Sequence, residues 1–139
     1  MKIRKAEPAD LSQVYAIEIV SHAVPWTWGD FVSELIRPDA EFWLMCGENN
    51  QVQGYIIFRL VLDECYVINI TVAEGNRRMG IGSLLMQHMM AKARKSGCER
   101  IVLDVRRDNH GALTFYESLG FEPAGCANAG KDYIMIKKI

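Results

Sequence analysis

The segment RRMGIG, residues 77–82, is the part of this sequence whose residue types and spacing best suggest chemistry. It stands between an apolar run that ends at Val72 and residues with helical periodicity. The first N–H groups of a helix have no partners within the helix, and together with the helix dipole they attract anions. Glycine lets the backbone approach an anion closely because it carries no Cβ. The pattern predicts either an anion site flanked by Arg77 and Arg78 or a purely structural turn.

Two well-known phosphate-binding patterns do not fit this segment. The sequence contains no GxxxxGK followed by Ser or Thr, which would indicate a triphosphate-binding loop. The run GIGSLL also lacks the third glycine of the dinucleotide-binding fingerprint. An anion at this loop would therefore belong to a different kind of fold.

The elements that must position this segment alternate along the chain without repeats or a linker. Alternating apolar runs predict strands at KIRKAE, EFWLMCG, QVQGYIIFRLVL, ECYVINITV, RIVLDV and YIMIKKI. Thr27 with Asp30 predicts a capped helix start, Asn109 predicts another, and Gly97 predicts a helix end. The order, roughly βααβββαβαββ, predicts one α/β or α+β domain over residues 1–139.

Composition and charge restrict the possible functions. A chain of 139 residues, half of them hydrophobic, is long enough for one core. Its formal net charge of −1 provides no general field for nucleic acid, so direct nucleic acid binding is not expected. The N-terminus lacks an apolar signal region, and no apolar run approaches the roughly 18 residues of a membrane span. A soluble, cytoplasmic protein without membrane contact is therefore expected.

The cysteines and histidines give no indication of a metal site. The four cysteines form no CxxC pair, and the three histidines do not cluster with them. These residues are Cys46, Cys65, Cys98 and Cys126, with His22, His88 and His110. Free buried thiols in a reducing compartment and ordinary histidines are therefore expected.

Several motifs together resemble one enzyme family. The spacing Arg-x-x-Gly-x-Gly, between a strand and an amphipathic helix, resembles the acyl-CoA-binding motif of the GNAT N-acetyltransferases. The later segment LDVRRDNHGALTFYESLGF is similar to the second half of that fold. The runs LDECYVINITV and SHAVPW resemble the RimI-type subgroup, which acetylates the N-terminal alanine of a ribosomal protein. The resemblance implies a central, mostly antiparallel mixed sheet, splayed between its fourth and fifth strands, with helices on both faces.

The resemblance also implies a co-substrate and the residues that bind it. Acetyl-CoA is expected without a metal, with its pantetheine arm along the backbone of Ile70, Thr71 and Val72. Its pyrophosphate is expected on the loop formed by Arg77, Arg78, Met79, Gly80, Ile81, Gly82 and Ser83. Asn109 matches a position that contacts the cofactor, although it also fits a simple helix N-cap.

Two residues match the catalytic positions of the RimI type. Tyr116, before Glu-Ser-Leu-Gly-Phe, corresponds to the proton donor for the leaving thiolate, and Asp104 corresponds to the base. An amine attacks a thioester only when it is neutral, which suits a nearby carboxylate, and a phenol can protonate the departing sulfur. The alternative roles are structural: Tyr116 as a packed aromatic side chain, and Asp104 as an ion-pair partner of Arg106 or Arg107.

The sequence departs from the subgroup in ways that affect the substrate. Asp104 stands where Glu is common, with Glu18 and Glu64 as weaker candidates that more often would be solvated charges. The segment PAGCANAGKDY, taken as the connection between the last two strands, is short and lacks a tyrosine-rich peptide-holding loop. Acetylation of a protein N-terminal amine is the leading hypothesis. Acetylation of a small amine and non-catalytic acyl-CoA binding are the alternatives, in a monomer or a homodimer.

Overall fold

The computed structural model describes residues 1–139 and contains seven strands and four α-helices in the predicted order. The strands are β1 (Lys2–Lys5), β2 (Ala40–Cys46), β3 (Val52–Val61), β4 (Glu64–Val72), β5 (Arg100–Arg106), β6 (Glu122–Ala127) and β7 (Asp132–Lys138). The helices are α1 (Leu11–Ser21), α2 (Trp28–Ile36), α3 (Ile81–Lys95) and α4 (His110–Ser118). Short 3-10 helices cover Pro8–Asp10 and Glu74–Asn76.

Local sequence signals define several helix ends as predicted. The Thr27 hydroxyl accepts a hydrogen bond from the Asp30 N–H at 3.1 Å, and the Asp30 carboxylate accepts one from the Thr27 N–H at 2.9 Å. This reciprocal pair is a capping box, which starts α2. Gly97 follows α3 with a φ of 84°, a left-handed conformation that glycine adopts without strain.

The segment PAGCANAGKDY is not a connection as a whole, which corrects the sequence interpretation. Most of its first half belongs to β6, which pairs with β7, and the connection itself covers only residues 128–131. β6 is an edge strand with mostly exposed residues, so it shows no apolar alternation, and an edge tolerates Pro123. Cys126 lies on this strand and is exposed, whereas the other three cysteines are buried as expected.

The sheet is splayed between its fourth and fifth strands, as predicted. Its strand order is β1-β2-β3-β4-β5-β7-β6, and every neighbouring pair is antiparallel except β4 with β5. The parallel ladder between β4 and β5 runs from the Glu64–Arg100 pair to the Val67–Leu103 pair. Beyond that point β4 continues to Val72 without pairing to β5. One edge of the end of β4 is therefore free of a strand partner.

A β-bulge in β4 changes which side chains face which core. The adjacent β3 residues Ile57 and Phe58 pair with Asn69 and Val67, so Ile68 has no partner and is the extra residue of the bulge. Val67 belongs to the core beneath α3, whereas Asn69 contacts α1 on the opposite face. A regular strand would place these two residues on the same face, because side chains alternate with a period of two. The bulge therefore directs Asn69 and Thr71 towards α1.

Apolar cores lie on both faces of the sheet. The larger one lies beneath α3 and α4 and includes Ile81, Leu85, Met86, Met89, Ile101 and Met135. The smaller one lies beneath α1 and α2 and includes Val14, Phe31, Leu44, Tyr55 and Ile57. Fully burying such side chains contributes about 1.5–3 kcal/mol each. The predicted arrangement of helices on both faces is therefore confirmed, and none of these helices is both long and apolar enough to cross a membrane.

Candidate active site

The glycine loop, residues 77–83, presents a row of unpaired backbone donors. The N–H groups of residues 78–83 find no acceptor within the protein, and the first bond of α3 joins the Leu84 N–H to the Gly80 carbonyl at 3.0 Å. Arg78 and Gly80 have positive φ angles of 66° and 78°. Successive N–H groups in such a turn can converge on one anion, and the N-terminal dipole of α3 adds to the attraction.

An apolar cleft of about 360 Å³ lies between the glycine loop and the splayed part of the sheet. It is lined by Ile70, Val72, Arg77, Gly82, Ala112, Phe115 and Tyr116. A Cβ added to Gly82 would stand 3.4 Å from the Phe115 ring, so a larger side chain at this position would occupy the cleft. The cleft therefore suits an uncharged chain that continues from an anion on the loop.

A second cavity of about 290 Å³, here called the sheet slot, occupies the gap between the diverging ends of β4 and β5. Asp104 of β5, His22 at the end of α1, and Asn109 and Tyr116 at α4 contribute to its lining. The sheet slot shares Ile70, Ala112 and Tyr116 with the apolar cleft, so the two cavities adjoin at Tyr116.

Tyr116 is the side chain at this junction. It is 9% exposed, and its ring packs against Phe115 and Phe121 with centroid distances of 5.4 and 5.9 Å. Burial raises the pKa of Tyr116 to about 12, and no hydrogen bond within the protein engages its hydroxyl. The phenol is therefore neutral near pH 7 and free to donate a proton or a hydrogen bond to a group in either cavity.

Asp104 carries a carboxylate without a fixed cationic partner. Arg106 instead contacts Asp108 at 3.3 Å, and Arg107 donates to the Gly130 carbonyl at 3.3 Å. The ion pair considered as a structural role for Asp104 is therefore not formed. Asp104 is exposed as a whole residue, but desolvation of its carboxyl group at the sheet slot, and secondarily the neighbouring Asp132, raise its pKa, which makes it a stronger proton acceptor once ionised.

The weaker carboxylate candidates differ from the expectation of solvated charges. Glu64 accepts hydrogen bonds at 2.7 Å from both Tyr66 and Arg100, and these bonds lower its pKa, so it is a poor base. Glu18 is only 2% exposed, which corrects its expected solvation. Tyr55 and Asn69 donate hydrogen bonds to Glu18 at 2.6 and 3.0 Å, which explains how a carboxylate can be buried there.

His22, which lines the sheet slot, was not identified as a functional residue from the sequence. The Nε2 atom of His22 lies 2.9 Å from the Thr71 hydroxyl and 3.6 Å from Glu18 Oε1. Thr71 itself faces α1 and not the apolar cleft, because the bulge at Ile68 shifts its side chain to that face. The spacing of Glu18 and His22, one helical turn apart on α1, was the only sequence signal for this pair.

The remaining predicted cofactor residues differ in whether they line a cavity, are exposed to solvent or are buried in the core. Ile70 and Val72 contribute side chains to the apolar cleft. Met79 is 49% exposed on the glycine loop, whereas the Ile81 side chain is buried in the larger core. Asn109 caps α4, since its side-chain oxygen accepts the Ala112 N–H at 3.1 Å, and it also lines the sheet slot. Both roles considered for Asn109 are therefore compatible.

Comparisons with known proteins agree with this architecture. The profile of the Acetyltransferase (GNAT) family matches residues 8–121. The ribosomal protein bS18-alanine N-acetyltransferase of Escherichia coli K12 is 35% identical over 122 residues, covering 88% of this chain and 81% of the relative. The crystal structure of the ribosomal-protein-alanine N-acetyltransferase from Escherichia coli superposes with a TM-score of 0.87 at 30% identity, covering 99% of this chain and 93% of that one.

A further structure shares the fold at lower identity. The PaiA N-acetyltransferase from Thermoplasma acidophilum, crystallised in complex with coenzyme A, has a TM-score of 0.88 at 19% identity, covering 99% of this chain and 98% of that one. The family match extends over most of the chain, and the relatives confirm the predicted RimI-type resemblance and acyltransferase class. The chain therefore belongs to the GNAT family of acetyltransferases.

Proposed function

We propose that this protein acetylates the α-amine of a protein N-terminus, with acetyl-CoA as the acyl donor. The observation that carries the proposal is the continuity of the glycine loop, the apolar cleft and the sheet slot with Asp104 and Tyr116. In acetyl-CoA the phosphates match the glycine loop, the uncharged arm matches the apolar cleft, and the thioester at its end matches the junction at Tyr116. The relatives named as ribosomal-protein-alanine N-acetyltransferases support a protein N-terminus as the acceptor.

The fit of acetyl-CoA rests on the unpaired donors of the glycine loop. Unsatisfied N–H groups at a helix start are satisfied well by phosphate oxygens, and the loop contains two arginines and no acidic residue. The free edge of β4 at Ile70–Val72 would pair with the amide groups of the pantetheine arm. When bound, the co-substrate supplies an acyl group activated by its bond to sulfur.

The strength of the available base favours an α-amine. An α-amine with a pKa near 8 costs about 1.4 kcal/mol to deprotonate at pH 7, whereas a lysine with a pKa near 10.4 costs about 4.6 kcal/mol. The Asp104 carboxylate attracts the ammonium group and accepts its proton, and the raised pKa of Asp104 improves that acceptance. An acceptor that needs little help with deprotonation suits this carboxylate best.

Tyr116 assists departure of the sulfur as a hydrogen-bond donor. With a pKa of about 12, Tyr116 would transfer its proton to a free thiolate of ordinary pKa, near 8.5, at a cost of about 5 kcal/mol. A hydrogen bond to the negative charge that develops on sulfur has no such cost. Tyr116 therefore stabilises the charge first, and the proton follows as the C–S bond breaks.

An acceptor panel tests the proposed function. The purified protein is incubated with acetyl-CoA and peptides with a free N-terminal alanine, the same peptides with a blocked N-terminus, and small amines. Thiol release and product mass are measured. We expect acetylation of the free N-terminus only. Turnover with small amines alone would show that the acceptor is a small molecule and not a protein N-terminus. Binding of acetyl-CoA without any turnover would favour a non-catalytic binding module.

A further inference from the structure

The buried carboxylate of Glu18 has neutral hydrogen-bond donors but no permanent cationic partner. Its Oε1 atom accepts bonds from Tyr55 and Asn69, and its Oε2 atom accepts one from the Trp26 N–H at 3.0 Å. The one basic side chain within 4 Å of this carboxylate is His22, at 3.6 Å. Buried charges are normally paired, and His22 is the side chain placed to pair with this carboxylate when its imidazole takes up a second proton.

The hydrogen bonds of this network determine the tautomer of His22. The Asn69 amide nitrogen must donate to the Glu18 carboxylate, which leaves the Asn69 oxygen to accept the Thr71 hydroxyl proton at 2.9 Å. Since Thr71 has donated its only proton, its oxygen accepts from His22 Nε2 at 2.9 Å. The neutral imidazole therefore carries its proton on Nε2, and Nδ1 has a free lone pair.

His22 stands where that lone pair can serve the reaction. Its side chain is 40% exposed, and it lines the sheet slot together with Asp104 and Tyr116. Asp104 is the other unpaired base in this lining. Arg106, which also lines the sheet slot, is engaged by Asp108. The groups that face His22 are thus Glu18 from α1, Thr71 and Asn69 from β4, and Asp104 across the sheet slot.

We propose that His22 is a second proton acceptor for the acceptor amine, with Glu18 as the residue that positions and stabilises its charged form. This inference rests on the proposed acetyl transfer. An ammonium group that becomes an amide nitrogen loses two protons while the C–N bond forms and the C–S bond breaks. One proton goes to Asp104 and the other to Nδ1 of His22. The sulfur takes the proton of Tyr116, and exchange with water restores all three groups, with a net release of one proton.

The variant His22→Gln tests this role, because glutamine keeps an N–H donor for Thr71 but accepts no proton. We expect kcat/KM for an N-terminal peptide to fall about 10²-fold at pH 7. At pH 9 the α-amine, with a pKa near 8, is mostly neutral and loses only one proton, so the deficit should shrink to less than about tenfold. The double variant His22→Gln/Asp104→Asn has neither proton acceptor, so it should remain impaired at pH 9. Acetyl-CoA affinity and thermal stability should stay near wild type, and His88→Gln, on the opposite face, is the matched control.

Chemical rescue gives an independent readout. Because His22 is partly exposed, added imidazole should restore part of the activity of His22→Ala and none of the activity of Tyr116→Phe. A His22→Gln variant with the wild-type rate and pH profile would overturn the His22 role alone. A deficit that is equal at all pH values, or that follows lost cofactor affinity, would also overturn it. A wild-type protein without turnover in the same assay would overturn both the role and the proposed function.

Discussion

Replacing Tyr116 with Phe should separate catalysis from stability. The change removes one oxygen and keeps the ring contacts with Phe115 and Phe121. Because no protein group bonds to the Tyr116 hydroxyl, the free energy of unfolding should change by less than about 1 kcal/mol. An unfolding entropy of about 2.1 cal/mol/K per residue over 139 residues converts this limit to about 3–4 °C in Tm. In contrast, kcat should fall about 10²–10⁴-fold because the donor to sulfur is lost.

Tyr55→Phe is the control variant in which the stability of the fold should fall. The Tyr55 hydroxyl is buried and donates to the Glu18 carboxylate at 2.6 Å, so its loss should cost about 1.5–3 kcal/mol, or about 5–10 °C in Tm. The hydroxyl of Tyr15 makes no hydrogen bond within the protein, and Phe would keep the contact of its ring with Trp28, so Tyr15→Phe should leave Tm and kcat unchanged. The measurements are thermal melting, calorimetry with acetyl-CoA, and steady-state thiol release with a working peptide. A Tyr116→Phe variant with wild-type kcat would refute the assignment of Tyr116 as donor.

Three further predictions concern the glycine loop and two carboxylates. Gly82→Asp should weaken acetyl-CoA binding at least about tenfold in calorimetry, whereas Gly75→Asp, which adds the same charge at an open position, should change it less. Asp104→Asn should lower kcat/KM about 10²–10⁴-fold. Since the raised pKa means that ionised Asp104 disfavours folding, Tm at pH 7 should stay equal or rise; a large loss would indicate a structural role. The hydrogen bond from Arg4 lowers the pKa of Asp10, so this pair stabilises the fold fully above the unfolded pKa of about 4 and loses that effect as the pH falls through the lowered pKa. Asp10→Asn should therefore lower Tm at pH 7, and its difference in Tm from wild type should shrink in melts at successively lower pH.

Features that depend on neighbouring residues were predictable from the sequence. Thr27 and Asp30 form their capping box within one turn, and Gly97 ends α3 through its own backbone. The glycine loop is similarly local, because a strand, a short turn and a helix follow one another in the chain. The resemblance to the GNAT family then supplied the splay between β4 and β5, which no local pattern indicates.

Features that depend on distant residues were not predictable. Glu18 has the sequence context of a surface helix residue, but its hydrogen-bond donors Tyr55 and Asn69 come from 37 and 51 positions later in the chain. The bulge at Ile68 is also invisible, because alternation along β4 continues through it in the sequence. A strand was predicted before the last one, but its residues were taken as part of the connection, because an exposed edge strand needs no apolar face.

The bulge at Ile68 makes the number of residues in β4 as important as their types. If Ile68 were deleted, Asn69 would follow Val67 directly and would still face α1, because neighbouring residues of a regular strand lie on opposite faces. If Ile68 were kept and the bulge were lost, the residues after it would exchange sides. Asn69 and Thr71 would then enter the core beneath α3 as buried polar groups, each at a cost of about 1–3 kcal/mol, and Ile70 and Val72 would meet the Glu18 carboxylate. The bulge thus lets the later residues of β4 face the correct sides with one residue more than the pairing needs.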